Sequence, residues 1–236
     1  MNWNVRNPSV TRAIRQVKWI RSVAPDVIVL TEIKRSKGTG YISDRLQALN
    51  YHVRYKEPDE NRYGSMLASK YPIPIHEDSE DEHFGPRVVS ATLNIHSQIV
   101  DVIGVYVHIR RDEEKRRFLD NLLEHIEGHP AGRMVFCGDF NILEPDHIPH
   151  YPKFEEWEYE FYKRLGQIGL RDAFRLLNHD KTVYSWVGNR GEGYRYDHIF
   201  ISVDLLPRIV NCRYLHDPRE DGLSDHSGMI AEFKLE

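Results

Sequence analysis

Residues 134–143 read MVFCGDFNIL and carry the strongest fold signal in the chain. The apolar run from Met134 to Gly138 has the length and composition of a buried strand. It ends on Asp139 and Asn141, a carboxylate and an amide two residues apart. After a glycine, these residues could be ordinary turn formers that bond to their own backbone. They could equally lie at the centre of an active site, since period-2 strand geometry would point both side chains to one side.

Polar residues also stand at the ends of other apolar segments. They are Asn4 after the first short strand, Glu32 after VIVLT, Tyr106 with His108 after IVDVIGV, Asp197 before HIFIS, and Asp225 with His226 before SGMIAEF. Each has a structural alternative: Glu32 could pair with Lys34, Tyr106 could be half-buried core, and His226 could be a structural histidine. Because ligand sites in α/β sheets gather at one end of the strands, the recurrence of the pattern favours a single site.

Helical and strand patterns alternate along the chain. Helical spacing of apolar residues predicts helices over 10–20, 112–126, 154–165 and 171–178, and another that contains Leu46 and Leu49. Strands are predicted over 27–30, 52–57, 64–69, 88–94, 99–106, 134–138, 196–202, 208–214 and 228–234. This order indicates mixed sheets with helices outside them. The 236 residues contain no repeat or linker, so one α/β domain over 1–236 is expected.

Composition limits the functional classes. The formal net charge is −4 and the pI is near 6.4, so binding of nucleic acid would need a local basic patch or a metal ion. No apolar run approaches the roughly 18 residues of a membrane span, and the N-terminus lacks the apolar stretch of a signal peptide. The two cysteines, Cys137 and Cys212, give no disulfide framework. A cytoplasmic protein without membrane association is therefore expected.

The residue types at the strand ends indicate a particular chemistry. Carboxylate and amide oxygens without a cysteine ligand suit a hard ion, Mg²⁺ or Mn²⁺. A histidine paired with an aspartate can act as an acid or base, or stabilise charge on a phosphoryl oxygen. The sequence has neither a GxSxG nucleophile elbow nor a GxxxxGK[ST] phosphate loop. Metal-assisted hydrolysis of a phosphate ester by water is the reaction that this set of residues favours.

The order of motifs resembles the endonuclease/exonuclease/phosphatase superfamily, which includes exonuclease III, apurinic endonucleases and DNase I. The motifs are WNV at 3–5, PDVIVLTEIK at 25–34, GSMLASKYPI at 64–73, GVYV at 104–107, GDFN at 138–141, LRDAFR at 170–175, YSW at 184–186, RYDHIF at 195–200 and SDH at 224–226. They span nearly the whole chain, and GDFN with a terminal SDH is the specific combination. The resemblance implies an α/β fold, a four-layered sandwich of two packed mixed β-sheets flanked by helices.

The resemblance also implies roles for individual residues. Glu32 would be the main metal ligand, with Asn4 and Asp225 beside the ion. Asp139 would orient or deprotonate the attacking water, and Asn141 would help to hold it. His226 would contact the phosphate, Asp197 would set its tautomer, and Tyr106 would contact the phosphate or the leaving group. The implied activity is that of a Mg²⁺- or Mn²⁺-dependent nuclease acting on DNA as a monomer.

Two departures and several basic residues bear on the substrate. Arg6 stands where apurinic endonucleases carry an acid, and His108 where they tend to have proline. Contacts to phosphate or nucleic acid are expected from Arg6, His108, Arg110, Arg190, Arg195 and Trp186. Lys115, Arg116 and Arg117 follow in the same cluster, but a solvated helix face is the alternative for them. A phosphatase or phosphodiesterase acting on a lipid or inositol phosphate, or a catalytically silent binding module, remain alternative functions.

Overall fold

A computed structural model describes residues 1–74, 80–129 and 132–235, with the backbone alone at 80–83. The strands are β1 Asn2–Asn4, β2 Val27–Ile33, β3 His52–Tyr55, β4 Gly64–Ser69, β5 Val88–Ile95, β6 Gln98–Tyr106, β7 Arg133–Asp139, β8 Leu170–Asp172, β9 Trp186–Val187, β10 Gly193–Tyr194, β11 Asp197–Ser202, β12 Ile209–Leu215 and β13 Gly228–Phe233. The helices are α1 Val10–Val23, α2 Lys37–Ala48, α3 Glu113–Gly128, α4 Glu156–Gln167, α5 Ala173–Leu177 and α6 Asp217–Glu220.

The larger strands form two mixed sheets. The first sheet has the order β12-β13-β1-β2-β4-β3, and the second has the order β5-β6-β7-β11-β8. In each sheet one neighbouring pair is parallel, β1 with β2 and β6 with β7, and the other pairs are antiparallel. Strands β9 and β10 form a separate two-stranded ribbon that the sequence patterns did not predict.

The core is divided into layers by these two sheets. Val29 and Met229 of the first sheet pack against Val102, Cys137 and Ile199 of the second. On the outer face of the first sheet, a cluster joins buried residues of α1 and α2 to those of β1 and β2. On the outer face of the second sheet, α3 and α4 pack in the same way. The layers follow the order helices, sheet, sheet, helices, so the predicted four-layered α/β sandwich is confirmed.

The local sequence explains where several elements begin. Ser9 caps α1 by accepting a hydrogen bond from the backbone N–H of Arg12 at 3.3 Å. The predicted helix over 171–178 is shorter than expected, since Leu170–Asp172 form a strand and the helix begins only at Ala173. The reason is that the Asp172 side chain accepts hydrogen bonds from the backbone of Phe174 and Arg175 and so acts as the cap.

Strand β7 contacts both its neighbours in the second sheet and strands of the first sheet. Tyr106 on β6 and Asp197 on β11 are the register partners of Asp139 on either side. At Gly138 an added Cβ would lie 1.9 Å from the carbonyl oxygen of Val105, so a side chain at this position has no room. The amide nitrogen of Asn2, from the first sheet, donates to the carbonyl oxygen of Gly138 at 3.0 Å. The absence of a side chain at Gly138 therefore allows the end of β7 to lie close to Val105 of β6.

Two expectations concerned the cysteines and the membrane. Cys137 and Cys212 are free thiols buried in the layer between the sheets, as expected for small core residues. Among the described residues, no helix has the length and apolar character needed to cross a bilayer.

Candidate active site

Asp139 is the centre of the site. It is fully buried at the end of β7, and its Oδ2 accepts a hydrogen bond from the Asn4 amide nitrogen at 2.8 Å. Burial raises the pKa of Asp139 to about 8, and the negative charges of Asp197 and Glu32 add to the rise, while His226 opposes it. This carboxyl group therefore holds a proton more tightly than an exposed aspartate does.

His226 and Asp197 form a buried pair beside it. The Nδ1 atom of His226 lies 2.7 Å from Oδ2 of Asp197, and its Nε2 lies 4.0 Å from Oδ2 of Asp139. Burial alone would lower the pKa of His226, but the carboxylates of Asp197 and Asp139 outweigh it and raise the pKa to about 10. Since a carboxylate only accepts, Nδ1 carries a proton and Nε2 is directed toward Asp139 and Asn4.

Asn141 is held by its backbone and its side chain. Its backbone N–H donates to Oδ1 of Asp139 at 3.1 Å, and its amide nitrogen donates to the carbonyl oxygen of Val107 at 2.8 Å. The residue has a φ of 49°, and β7 ends at Asp139. The expectation that an extended strand would point Asp139 and Asn141 to one side is therefore wrong, because the chain has already left the strand at Asn141.

Left-handed backbone conformations cluster around this site. The φ angles are 53° at Arg6, 39° at Asn7, 55° at Glu32 and 49° at Asn141. None of these residues is glycine, and such conformations cost of the order of 1 kcal/mol each. They persist where surrounding contacts fix them: the backbone N–H of Arg6 donates to the Asn4 side-chain oxygen, and that of Asn7 donates to the carbonyl oxygen of Glu32.

Glu32 and Asp225 are the half-buried carboxylates of the site. Burial raises the pKa of Glu32, although a hydrogen bond from Asn4 and the charge of His226 partly offset this. Oδ2 of Asp225 lies 3.3 Å from the indole nitrogen of Trp186 and 3.4 Å from Nε of Arg6. The structure thus brings these carboxylates to the same end of the sandwich as Asp139.

Tyr106 is buried, and its ring centroid lies 5.5 Å from that of Tyr63. Burial raises the pKa of Tyr106, and the charges of Glu32 and Asp139 raise it further, so the phenol stays neutral. The ammonium group of Lys34 lies 4.2 Å from the Tyr63 ring centroid. Tyr63 was not among the predicted site residues, and its only sequence signal was its position directly before the strand Gly64–Ser69.

The buried position of Arg195 contradicts the prediction that this residue contacts phosphate. The side chain is fully buried, and its guanidinium bonds to Glu144 at 3.0 and 2.5 Å and to Asp172 at 2.8 Å. Because all three groups lie in the interior, the arginine cannot reach a substrate. The prediction was wrong since proximity to Asp197 in the sequence does not tell which way a side chain faces.

The other predicted contact residues lie at or near the surface. Arg6, Arg110 and Arg190 are exposed, and Trp186 is half-buried. The His108 side chain is 18% exposed, and its Nε2 lies 3.8 Å from Oδ1 of Asp112. Burial and the charge of Arg87 lower the pKa of His108.

Ser185 is a second residue that the sequence analysis missed. Its fully buried hydroxyl accepts hydrogen bonds from the backbone of Tyr196 at 3.0 Å and of Asp197 at 3.1 Å. Its carbonyl oxygen accepts from the backbone of Ser227 at 2.8 Å. The serine therefore joins the strand that carries Asp197 to the segment that carries His226. The only sequence signal was its place in the YSW motif.

The fold and the site together define the class of DNase I-like sandwiches, in which polar residues from both sheets meet at one end. The model of the endonuclease/exonuclease/phosphatase family matches residues 1–226, and the chain belongs to this family. The motif resemblance is thereby confirmed.

Individual relatives cover nearly the same length. Exodeoxyribonuclease III from Haemophilus influenzae is 28% identical over 254 aligned positions, which cover 91% of this chain and 92% of the relative. The structure of an AP endonuclease from Archaeoglobus fulgidus has a TM-score of 0.83 at 23% identity and covers 99% of this chain and 98% of that one. A Neisseria 3′ phosphatase bound to a product DNA hairpin has a TM-score of 0.80 at 25% identity, with the same coverage.

Proposed function

We propose that this protein is a divalent-metal-dependent nuclease that hydrolyses DNA phosphodiester bonds by attack of water. The observation that carries the proposal is the buried Asp139, bonded to Asn4 and adjoining the Asp197–His226 pair. A carboxylate, an amide and an oriented imidazole are the groups needed to hold water and to stabilise a phosphoryl group. Relatives of this chain include an exodeoxyribonuclease and a 3′ phosphatase bound to a DNA hairpin, and this supports DNA as the substrate.

The donor set fits Mg²⁺ or Mn²⁺. Glu32 would hold the ion, with Asn4 and Asp225 beside it, and all of these ligands are oxygen donors. Burial raises the pKa values of Glu32 and Asp139, and neighbouring carboxylates add to the rise. A divalent cation would offset this negative charge. Ligand atoms of Asp139, Asp197 and His226 also lie within 4.8 Å of one another, but Asp197 is engaged by His226, so this group fits proton handling better. When bound, the ion would polarise a phosphoryl oxygen and neutralise its charge.

The chain's own residues divide the remaining work. In its ionised form, Asp139 accepts a proton from the water that attacks phosphorus. Asn141 helps to hold this water, and protonated His226 donates to a phosphoryl oxygen, while Asp197 keeps its ring oriented. The bond from phosphorus to the leaving oxygen then breaks, and this oxygen takes a proton from solvent water to leave as a hydroxyl group. Tyr106, a neutral phenol, donates a hydrogen bond to the phosphate or the leaving oxygen.

We further propose that DNA is bound by exposed or partly exposed side chains, of which Arg6 and Trp186 contact Asp225. Arg6, Arg110 and Arg190 supply positive charge, and His108 and Trp186 supply further contacts. We further propose that the chain forms one domain and acts as a monomer. We also propose a cytoplasmic location, which the two free cysteines support.

The test is cleavage of labelled oligonucleotides that are intact, nicked, abasic or single-stranded, in Mg²⁺, Mn²⁺ or EDTA. We expect cleavage that EDTA abolishes and that Asp139→Asn and His226→Gln each reduce by about 100-fold or more in kcat. Asp204→Asn is the matched control, because this exposed aspartate follows the opposite end of β11.

Three results would contradict parts of the proposal. Wild-type rates in both site variants would refute the residue assignment. Turnover of a lipid or inositol phosphate without cleavage of any oligonucleotide would identify the alternative substrate class. No turnover together with no binding of a divalent ion would indicate a silent binding module.

A further inference from the structure

A buried lysine contacts the backbone of Asn141 from α3. Lys115 is the third residue of α3, and its side chain is fully buried, although the sequence suggested a solvated helix face at 115–117. Its ammonium group donates to the backbone carbonyl oxygen of Asn141 at 2.8 Å and to Oε1 of Glu158 at 2.5 Å. The lysine therefore connects α3 to the residue that follows the end of β7 by two positions.

Glu158 forms ion pairs with both Lys115 and Arg111. This glutamate on α4 is also fully buried, and its Oε2 accepts a hydrogen bond from the backbone of Glu155 at 3.0 Å. The guanidinium Nε of Arg111 lies 3.4 Å from the same oxygen. A buried ion pair contributes little net stability compared with an apolar pair of similar volume, because both charges lose their water. Stability alone thus gives no reason for an ammonium group at this position.

The position of the ammonium group gives a reason. Asn141 has a φ of 49°, its backbone N–H is bonded to Asp139, and its amide nitrogen is bonded to Val107. The bond from Lys115 holds the carbonyl group as well. These contacts fix both ends of the residue and leave its Oδ1 as the side-chain atom that no described hydrogen bond uses. A charged donor makes a stronger bond to a carbonyl group than a neutral donor does.

We propose that Lys115, fixed by Glu158, is a positioning residue that keeps Asn141 in its left-handed conformation and so sets the water-binding geometry next to Asp139. This proposal rests on the proposed hydrolytic function. Lys115 does not touch the substrate, and it acts on the reaction through the backbone of Asn141.

The variants are chosen so that folding does not decide the outcome. Lys115→Met removes the ammonium group, and Lys115→Met/Glu158→Gln also removes the carboxylate that would otherwise be left unpaired. Lys115→Arg restores a charged donor. Lys163→Met is the matched control, because Lys163 lies on α4 and pairs with Glu156 and Glu160 at the surface.

Kinetics with a labelled oligonucleotide and Mg²⁺ give the first readout. We expect the Lys115→Met/Glu158→Gln variant to lose about 10- to 100-fold in kcat with little change in KM, since a small displacement of a catalytic group has effects of this size. Lys115→Arg should recover most of this rate. In an Asn141→Ala background, the same two substitutions should cost at most about 2-fold, because the side chain that Lys115 positions is absent.

The second readout does not depend on activity. The side-chain amide signals of Asn141 in a ¹⁵N-correlation spectrum should shift and exchange faster with solvent in the Lys115→Met/Glu158→Gln variant, and Lys115→Arg should restore them. Unchanged Asn141 signals in the variant would overturn the positioning role. The same conclusion would follow if the two substitutions reduced kcat by the same factor in the Asn141→Ala background as in the wild type. If the wild-type protein is inactive but the Asn141 signals are perturbed in the Lys115→Met/Glu158→Gln variant, the proposed function is refuted, and Lys115 still positions Asn141.

Discussion

Replacement of Arg195 by methionine should destabilise the fold without weakening the binding of DNA. The guanidinium bonds to both oxygens of Glu144 and to one oxygen of Asp172, and all three side chains are buried. Methionine can replace the aliphatic part of the arginine side chain, but it has no charge and no hydrogen-bond donor. Arg195→Met therefore leaves two buried carboxylates with fewer partners.

The expected size follows from the partners that remain. Glu144 keeps its bonds to Arg175, and Asp172 keeps His198 and Tyr162. Removal of one member of a buried ionic group costs about 3–5 kcal/mol. For a chain of this length, each kcal/mol shifts Tm by about 2–4 °C, so a decrease of about 6–20 °C is expected.

Thermal unfolding at pH 7, followed by circular dichroism, measures this decrease. Arg213→Met is the matched control, because Arg213 pairs with Glu232 at the surface and both side chains are nearly half exposed. The control should lose less than about 1 kcal/mol. At a temperature where Arg195→Met is folded, its KM for an oligonucleotide should equal that of the wild type. A Tm within 2 °C of the wild type would contradict the structural role of Arg195, and a raised KM at full stability would show that Arg195 contributes to substrate binding.

Two further predictions concern pH and salt. Burial alone would raise the pKa of Glu144, but Arg175 and Arg195 outweigh it and lower the pKa to about 2 from its ordinary 4.5, so the stabilisation is complete above pH 4.5 and is lost as the pH falls toward 2. Urea unfolding should show a loss of about 3 kcal/mol over this range, and Glu144→Gln should flatten that dependence; an equally steep curve in the variant would contradict the assignment. For Arg6→Ala, log KM for an oligonucleotide should depend less steeply on log salt concentration, by about one unit of slope, if the exposed guanidinium contacts a phosphate. An unchanged slope would exclude that contact.

Much of the site was predictable because its residues stand at strand ends. Asn4, Tyr106 and Asp139 are the last residues of their strands and Asp197 is the first residue of its strand, so all four lie at strand ends, as the apolar patterns indicated. Strand ends can be located from local composition, and sheets bring such ends together. The motif order then supplied the sandwich, which local patterns alone would have left as a general mixed α/β fold.

The buried ionic groups were not predictable for the opposite reason. Arg195 meets Glu144 from 51 positions away, and Lys115 meets Glu158 from 43 positions away. Neither partner shows in the local sequence, so a basic residue near a candidate site was assigned to the substrate or to solvent. Ser185 was missed in the same way, because its importance lies in backbone groups of residues distant in the sequence.

The bonds from Asn2 to Gly138 and from Asn4 to Asp139 join one sheet to the other at the site itself. Neither sheet contains the full set of residues that we propose to react, so the candidate site assembles only after the two sheets have docked. During refolding, catalytic activity should therefore appear in the last phase, after most secondary structure has formed. A newly made or partly unfolded copy would therefore lack the assembled candidate site.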